Sequence, residues 1–415
     1  MATETTLDGL CINTVRTLAM DAVQQANSGH PGTAMAMAPV IHTLWDRFLH
    51  FNPGNPRWLN RDRFILSCGH ASMLLYGTLH INGFDLPLTE LQQFRQLHSQ
   101  CPGHPEYTPD HSLTPGVETT TGPLGQGVAT SVGMAIASQW LTARYNRPGH
   151  ALMTHNIVAL CGDGCMMEGI SGEAASLAGH LGLSNLVWIY DNNRITIEGN
   201  TALAFTDDVA TRFLGYHWNV QRVGDANDIE QLEQAFSTAL AEDERPSLII
   251  VDSHIAYGAQ HKQDTSAAHG EPLGEDEIRA TKVRYGWDPD KHFYIPPEVQ
   301  DRMAVIRERG AQQEAAWQTQ LTAYQQAYPA LARELELIQE GGLPEGWDQD
   351  IPTYPADPRG IASRDSSGQV LNALAQRLPW LIGGAADLAP STKTRLTFPE
   401  AGDFQKGTYS GRNLH

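Results

Sequence analysis

Ile157-Val158-Ala159-Leu160-Cys161-Gly162-Asp163-Gly164-Cys165-Met166-Met167-Glu168 is an apolar run that ends in a Gly-Asp-Gly turn and then reads as a helix. A short run of aliphatic residues without polar alternation suits a strand buried on both faces, as in a parallel sheet covered by helices. The same order recurs along the chain. Phe64-Ile65-Leu66 leads into Cys68-Gly69-His70, Leu186-Val187-Trp188-Ile189-Tyr190 into Asp191-Asn192-Asn193, and Leu248-Ile249-Ile250-Val251 into Asp252-Ser253-His254. Each run finishes in small, polar or histidine residues. That predicts an α/β fold with a doubly wound, mostly parallel sheet and functional loops at the C-terminal ends of its strands. Before the first strand, Ile12, Val15, Leu18, Ala19, Ala22 and Val23 recur at helical spacing, and Ser28-Gly29 ends that helix.

The chain has 415 residues, more than the ~250–300 at which one core stops growing. The α/β domain is expected over 1–320. From Pro297 the pattern becomes helical, with Trp317, Leu321, Tyr324, Tyr328, Leu331, Leu335 and Ile338 in step until Pro329 interrupts it. Gly341-Gly342-Leu343-Pro344 and Pro352, Pro355 and Pro358 make 321–357 a helical segment and linker. A second α/β domain is expected to begin over 358–415, with a helix from Ser366 to Leu378 and a strand Trp380-Leu381-Ile382-Gly383-Gly384.

Composition narrows the function. The chain is 41% hydrophobic and 18% charged, an ordinary globular balance. Its 28 basic and 47 acidic residues give a formal charge of −19. A field of that sign argues against nucleic acid and anionic membranes as partners, while local basic groups can still admit an anionic substrate. Cys11, Cys68, Cys101, Cys161 and Cys165 are an odd, sparse set, which suits a reducing compartment rather than a disulfide framework. Met1 to Leu10 lacks a secretory signal, and no apolar run reaches the roughly eighteen residues of a membrane span. A cytoplasmic protein is expected.

Three motifs carry chemistry. Asp163 at one strand end and Asn193 at the next face one crevice in a doubly wound sheet. With a backbone carbonyl such as that of Ile195, they would supply part of the oxygen shell of magnesium, diphosphate and water completing it. Thr121-Gly122-Pro123-Leu124-Gly125-Gln126-Gly127 opens a helix at Val128, where free N–H groups suit an anion. It is neither a dinucleotide fingerprint nor a P-loop. Histidines stand in rigid Gly/Pro contexts at His30, His70, His104 and His269, as groups that exchange protons near neutral pH need to be. Zinc on Cys68, His70, Cys101 and His104 is the competing reading, but their spacing matches no common zinc pattern.

In their order along the chain, these motifs resemble transketolase, from Leu10 to His415. Gly-His-Pro-Gly at 29–32, Cys-Gly-His-Ala-Ser-Met-Leu-Leu-Tyr at 68–76, Pro-Gly-His-Pro-Glu at 102–106, the 121–127 loop, the 162–174 segment and Asp-Asn-Asn-Arg-Ile-Thr-Ile-Glu-Gly at 191–199 carry the likeness. Gly-Ala-Ala-Asp-Leu-Ala-Pro-Ser at 384–391 is similar to the family's sugar-binding loop. The resemblance implies transfer of a two-carbon ketol unit between sugar phosphates, as in the pentose phosphate pathway and Calvin cycle, by a homodimer using thiamine diphosphate and Mg²⁺, with Ca²⁺ or Mn²⁺ as substitutes. It implies that Asp163, Asn193 and the Ile195 carbonyl bind the metal, and that His70, Gly122, Leu124, Gly164, Asn193 and His269 line the cofactor. It implies that His30, His104 and His269 contact substrate oxygens and move protons, and that Arg364, Asp387 and Ser391 bind the sugar phosphate. Glu168 and Glu173 resemble the buried glutamates at the family's dimer interface that support catalysis.

The chain departs from the family in Ala256-Tyr257-Gly258-Ala259-Gln260-His261-Lys262, and in Asp365, where a lysine is usual. The family's cofactor-activating glutamate would fall beyond His415, so these residues alone are expected not to turn over ketoses. A cofactor-binding subunit inactive alone and a dihydroxyacetone synthase-like enzyme are the alternatives. Pro-Gly-His-Pro-Glu and Asp387 argue for a sugar over the oxo acids of 2-oxo acid dehydrogenases, which share only the magnesium motif.

Overall fold

The computed structural model describes residues 6–415. Among them β1 (Arg63–Leu66), β2 (Ile157–Gly162), β3 (Leu186–Asn192), β4 (Asn219–Val223) and β5 (Ser247–Asp252) form one parallel sheet in the order β1-β2-β3-β5-β4. The central strands are buried along almost their whole length, which is why they read as unbroken apolar runs. That criterion misses β4. As an edge strand it is paired only with β5 and buries only Val223, so it has the mixed sequence Asn-Val-Gln-Arg-Val.

Side chains on the sheet decide where the helices lie. Trp188 of β3 stands 4.7 Å from Trp218 between ring centroids, and Phe213 is 5.2 Å from Trp218. Each buried indole N–H needs an acceptor. Trp188 Nε1 donates to Ser131 Oγ at 2.9 Å in the helix Gln126–Tyr145, and Trp218 Nε1 donates to the Ala175 carbonyl at 2.8 Å in the helix Gly169–Leu181. The latter helix passes so close to the next segment that a Cβ on Gly179 would lie 1.7 Å from the Tyr216 carbonyl oxygen. Gly179→Ala would gain up to ~1 kcal/mol at an open helical site. Here it is expected to cost about 3 kcal/mol, because backbone must move to admit a methyl group. Urea denaturation measures the difference, and an unchanged or higher midpoint would show that the crossing is slack.

The N-terminal helix Leu7–Ala26 begins with Thr6 Oγ1 accepting from Gly9 N–H at 3.1 Å. It ends where Asn27 turns left-handed (φ 49°), one residue before the predicted Ser28-Gly29 stop. A helix Gly32–Arg47 follows, and both are buried along much of their length.

The chain divides into two compact units. One runs up to Ile136 and again over His155–Ala316, and holds the sheet; the other combines Ala137–Thr154 with Trp317–His415. The boundaries 1–320, 321–357 and 358–415 thus miss one excursion, because 137–154 is clipped to later helices. Arg144 Nη2 donates to Glu334 at 2.7 Å, Tyr145 Oη to Glu334 at 2.5 Å, and Trp317 Nε1 to the Leu152 carbonyl at 2.8 Å. The helix that starts at Pro297 ends at Ala327, and Pro329 opens the next, Pro329–Glu340. The predicted strand Trp380–Gly384 is shorter than expected. Only Gly383–Gly384 pairs, with Asn413–Leu414, and a two-residue partner supports no longer ladder. No helix among the described residues is long and apolar enough to cross a membrane.

Candidate functional site

A cavity of about 400 Å³ opens at the C-terminal ends of the strands, within the size range of cofactor pockets. β1 delivers Cys68 and His70 to it, β2 delivers Gly162, Asp163 and Gly164, and β3 delivers Asn193 and Ile195. His30, His104, Gly122, Leu124, Glu168 and His269 complete the predicted part of its wall. Thr33, Cys165, Met167, Thr196 and Ile197 also line it; the last four fall inside the 162–174 and 191–199 motifs, but the sequence assigns them no role.

Asp163 is buried, and its carboxylate accepts from Tyr190 Oη at 2.5 Å and from the Arg194 backbone N–H at 3.0 Å. Burial pushes its pKa up to about 6, partly offset by those hydrogen bonds. No cationic side chain forms an ion pair with it among the described residues, so its buried negative charge is offset only in part, by the Arg194 charge acting without an ion pair. Such a charge is costly unless a cation meets it. Beside it Asn193 Oδ1 accepts from Ile195 N–H at 2.9 Å, and Asn193 Nδ2 donates to Asp191 at 2.7 Å. Nothing lies within 4 Å of where a Cβ on Gly162 would sit. Hard oxygen donors, a buried carboxylate in no ion pair and open backbone fit a magnesium ion carrying a diphosphate.

The histidines meet as rings. His30 lies 5.0 Å from His70 and 5.8 Å from His269 between centroids, and His70 lies 5.1 Å from His269. Burial, reinforced by the other imidazoles, lowers the pKa of His30 to about 4 and of His70 to about 3. His104 and His269 are also shifted down, burial being the largest cause. All four are therefore neutral near pH 7, each with one donor and one acceptor nitrogen. His30 Nδ1 and His269 Nδ1 are buried with no hydrogen-bond partner from the protein, so each is able to serve a polar ligand.

These shifts have a sign. The unfolded histidine titrates near ~6.5. A folded pKa below that contributes stability that is complete above ~6.5 and is lost as pH falls toward 4 and 3. Without ligands, the wild type is expected to lose more stability than His70→Phe between pH 6.5 and 4.5. Urea midpoints at the two pH values measure this, and equal losses would mean that His70 is not held neutral by its surroundings.

One expectation changes. The glycine-rich loop reaches the cavity through Gly122 and Leu124, not through the first turn of its helix. That turn is capped from within, since Val128 N–H donates to Ser67 Oγ at 3.0 Å and Gln126 N–H to the Pro123 carbonyl at 3.3 Å. Glu173 is exposed beside an open depression shared with Glu168, Ser176, His180, Arg212 and Tyr216. Gly125 (φ 83°) sits where that edge meets the loop, and a Cβ on it would fall 2.9 Å from the Glu168 Cβ.

Arg364, Asp387 and Ser391 are exposed residues of the second unit, the first near the start of the helix Ser363–Arg377 and the others around the short helix Ala389–Thr392. The zinc candidates do not converge. Among the described residues the His/Cys/Asp/Glu ligand atoms within 4.8 Å of one another belong to Asp8, His42 and Asp46. There Arg47 and Arg302 already pair with the carboxylates. The divergent loop 256–262 is anchored by Glu277, which accepts from His261 N–H at 2.7 Å and bonds its ring at 2.9 Å.

Residues 7–344 match the family described as transketolase, thiamine diphosphate binding domain. A transketolase of Geobacillus stearothermophilus is 49% identical over 409 residues, spanning 98% of this chain and 60% of the relative. A solved transketolase from Leishmania mexicana superposes with a TM-score of 0.95 at 39% identity, over 100% of this chain and 60% of its own. A Pichia stipitis transketolase solved in complex with sedoheptulose 7-phosphate gives 0.93 at 42% identity, over 99% and 60%. The chain spans about 60% of the length of these relatives.

Proposed function

The chain belongs to the transketolase thiamine-diphosphate-binding domain family, and from that premise we propose that it holds thiamine diphosphate and magnesium for the transfer of a two-carbon ketol unit from a ketose phosphate to an aldose phosphate. What supports this reading most is one cavity that collects a buried carboxylate in no ion pair and four neutral imidazoles.

Asp163, Asn193 and the Ile195 carbonyl would hold the cation, and Gly122, Leu124, Gly164 and His70 would line the cofactor's diphosphate end. Bound there, thiamine diphosphate supplies the electron sink for breaking and forming the carbon–carbon bond. The remaining tasks fall to this chain's side chains. His30, His104 and His269 donate to and accept from the hydroxyl and carbonyl oxygens of the sugar. Being neutral, an imidazole can give a proton from one nitrogen or take one at the other as oxygen charge rises and falls. Their burial excludes water that would otherwise compete for those oxygens. Arg364, Asp387 and Ser391 are proposed as contacts to the sugar phosphate. A guanidinium meets a phosphate with paired hydrogen bonds.

The test is a coupled assay with xylulose 5-phosphate and ribose 5-phosphate, run with and without thiamine diphosphate and magnesium on the protein in its full length. Turnover that does not depend on both additions would defeat the reading.

A second copy of the chain is proposed as the partner. Support comes from the helix Gly169–Leu181, which leaves Ile170 45% exposed beside exposed Glu168 and Glu173, and from two-fold dimers being the commonest assembly. Light scattering at working concentration is expected to give twice the chain mass; a monomer mass in an active sample excludes it.

A further inference from the structure

We propose that Asp191, held by Ser253, is a positioning residue that fixes which end of the Asn193 amide faces the cation. Asp191 lies at the C-terminal end of β3 and is wholly buried. Both of its oxygens are engaged. One accepts from the Ser253 hydroxyl, just past the end of β5, and the other from Asn193 Nδ2 at 2.7 Å.

The two ends of a carboxamide have nearly the same shape and opposite polarity: one only accepts, the other only donates. Packing alone therefore selects poorly between them. Asp191 does select: Ser253 and Asn193 both donate to it, so each of its oxygens acts as an acceptor, and an accepting oxygen tolerates only the NH₂ end against it. With that end committed to Asp191, the Asn193 oxygen is turned the other way. There it accepts from Ile195 N–H at 2.9 Å and belongs to the wall of the cavity. Magnesium takes oxygen ligands and refuses an amide nitrogen. A flipped Asn193 would set two acceptors against each other at Asp191 and present NH₂ to the cation. Ser253 adds the last constraint. Its hydroxyl holds the carboxylate in rotation, so the oxygen facing Asn193 stays in place. Partners of this kind, one shell behind a metal ligand, are typically worth ~10–100-fold in affinity.

The inference rests on the assignment of Asn193 as a metal ligand, and the experiment separates the two. Mn²⁺ is titrated into the protein with thiamine diphosphate saturating, and free Mn²⁺ is read by electron paramagnetic resonance. Asp163→Asn tests the metal site itself and is expected to weaken binding strongly. Asp191→Asn keeps the shape but leaves the Ile195 N–H as the one remaining group that selects between the ends of the Asn193 amide, and is expected to weaken Mn²⁺ binding by ~10–100-fold. Ser253→Ala is expected to give a smaller loss in the same direction. The decisive variant is the exchange, Asp191→Asn combined with Asn193→Asp. It places an amide NH₂ at position 191 against a carboxylate at 193, so an oxygen again faces the cation. Binding should recover at least about tenfold over Asp191→Asn alone, most of the loss assigned to an outer-shell partner. A role in folding only would not be restored by exchanging the two groups. If Asp163→Asn loses Mn²⁺ while Asp191→Asn binds as tightly as wild type, the positioning role falls and the metal site stands. An exchange variant no tighter than Asp191→Asn overturns it equally. If Asp163→Asn itself binds normally, the metal assignment fails and the inference with it.

Discussion

Replacing Asp163 by alanine is expected to lower the affinity for magnesium with thiamine diphosphate by roughly 100-fold or more, at or beyond the upper end of what outer-shell partners are worth. The residue contributes the anionic oxygen of the proposed donor set, and magnesium accepts few substitutes. The fold should survive the change. Asp163 is a buried carboxylate whose hydrogen-bond partners are a phenol and a backbone N–H, with the Arg194 charge a lesser influence than burial. Deleting it removes a desolvation cost while leaving Tyr190 and Arg194 in need of other acceptors. Asp163→Asn, which keeps an oxygen for one of them, is expected to melt no lower than the wild type without ligands. Calorimetric titration reads the affinity and a thermal melt reads the fold. Unchanged affinity in both variants would place the metal elsewhere.

The second large effect is expected on turnover. His30→Ala should lower kcat/KM for ketose donors by ~10²–10⁴-fold, the usual range for a positioned proton-transfer group, while thiamine diphosphate affinity stays near that of the wild type. Two observations motivate the split. His30 Nδ1 is buried and unpartnered, so the protein itself gives it nothing to bond. Its ring also packs against His70 and His269 at 5.0 and 5.8 Å, which places it in the imidazole cluster rather than on the Asp163–Asn193 loops. Steady-state kinetics with saturating cofactor, paired with calorimetry, measures both. A loss of cofactor affinity as large as the loss of turnover would make His30 a cofactor contact instead.

How much of this could be read from the residues alone follows from burial. β2, β3 and β5 are unbroken apolar runs because both of their faces are covered, and their loops announce themselves by abrupt polarity. β4 carries Gln221 and Arg222 in a partly exposed edge, so periodicity has nothing to register. The same contrast holds in the site. His30, His70, Asp163, Asn193 and His269 were legible because histidine, aspartate and asparagine among glycines at strand ends have few other uses. Asp191 stands two residues from Asn193 in plain view, yet its role depends on Ser253, sixty-two positions away, and only folding brings the two together. Thr196 and Ile197 line the cavity from within the 191–199 motif, but a hydroxyl and an aliphatic side chain there do not by themselves point to a wall position. Where 137–154 belongs was equally hidden, since it turns on pairings with Glu334 and Trp317.

The strand order has a consequence for how the chain is made. β4 leaves the ribosome before β5, yet its sheet neighbour is β5, which must slot between it and β3. Until residues 247–252 emerge, β3 therefore presents an open apolar edge and β4 has no ladder to join. Parallel pairings of this kind are slow and leave hydrophobic edges exposed meanwhile. His269 arrives later still. The cavity thus comes into being only when the first unit is nearly finished, and a nascent chain arrested before β5 would be a target for chaperones rather than a weak binder of cofactor.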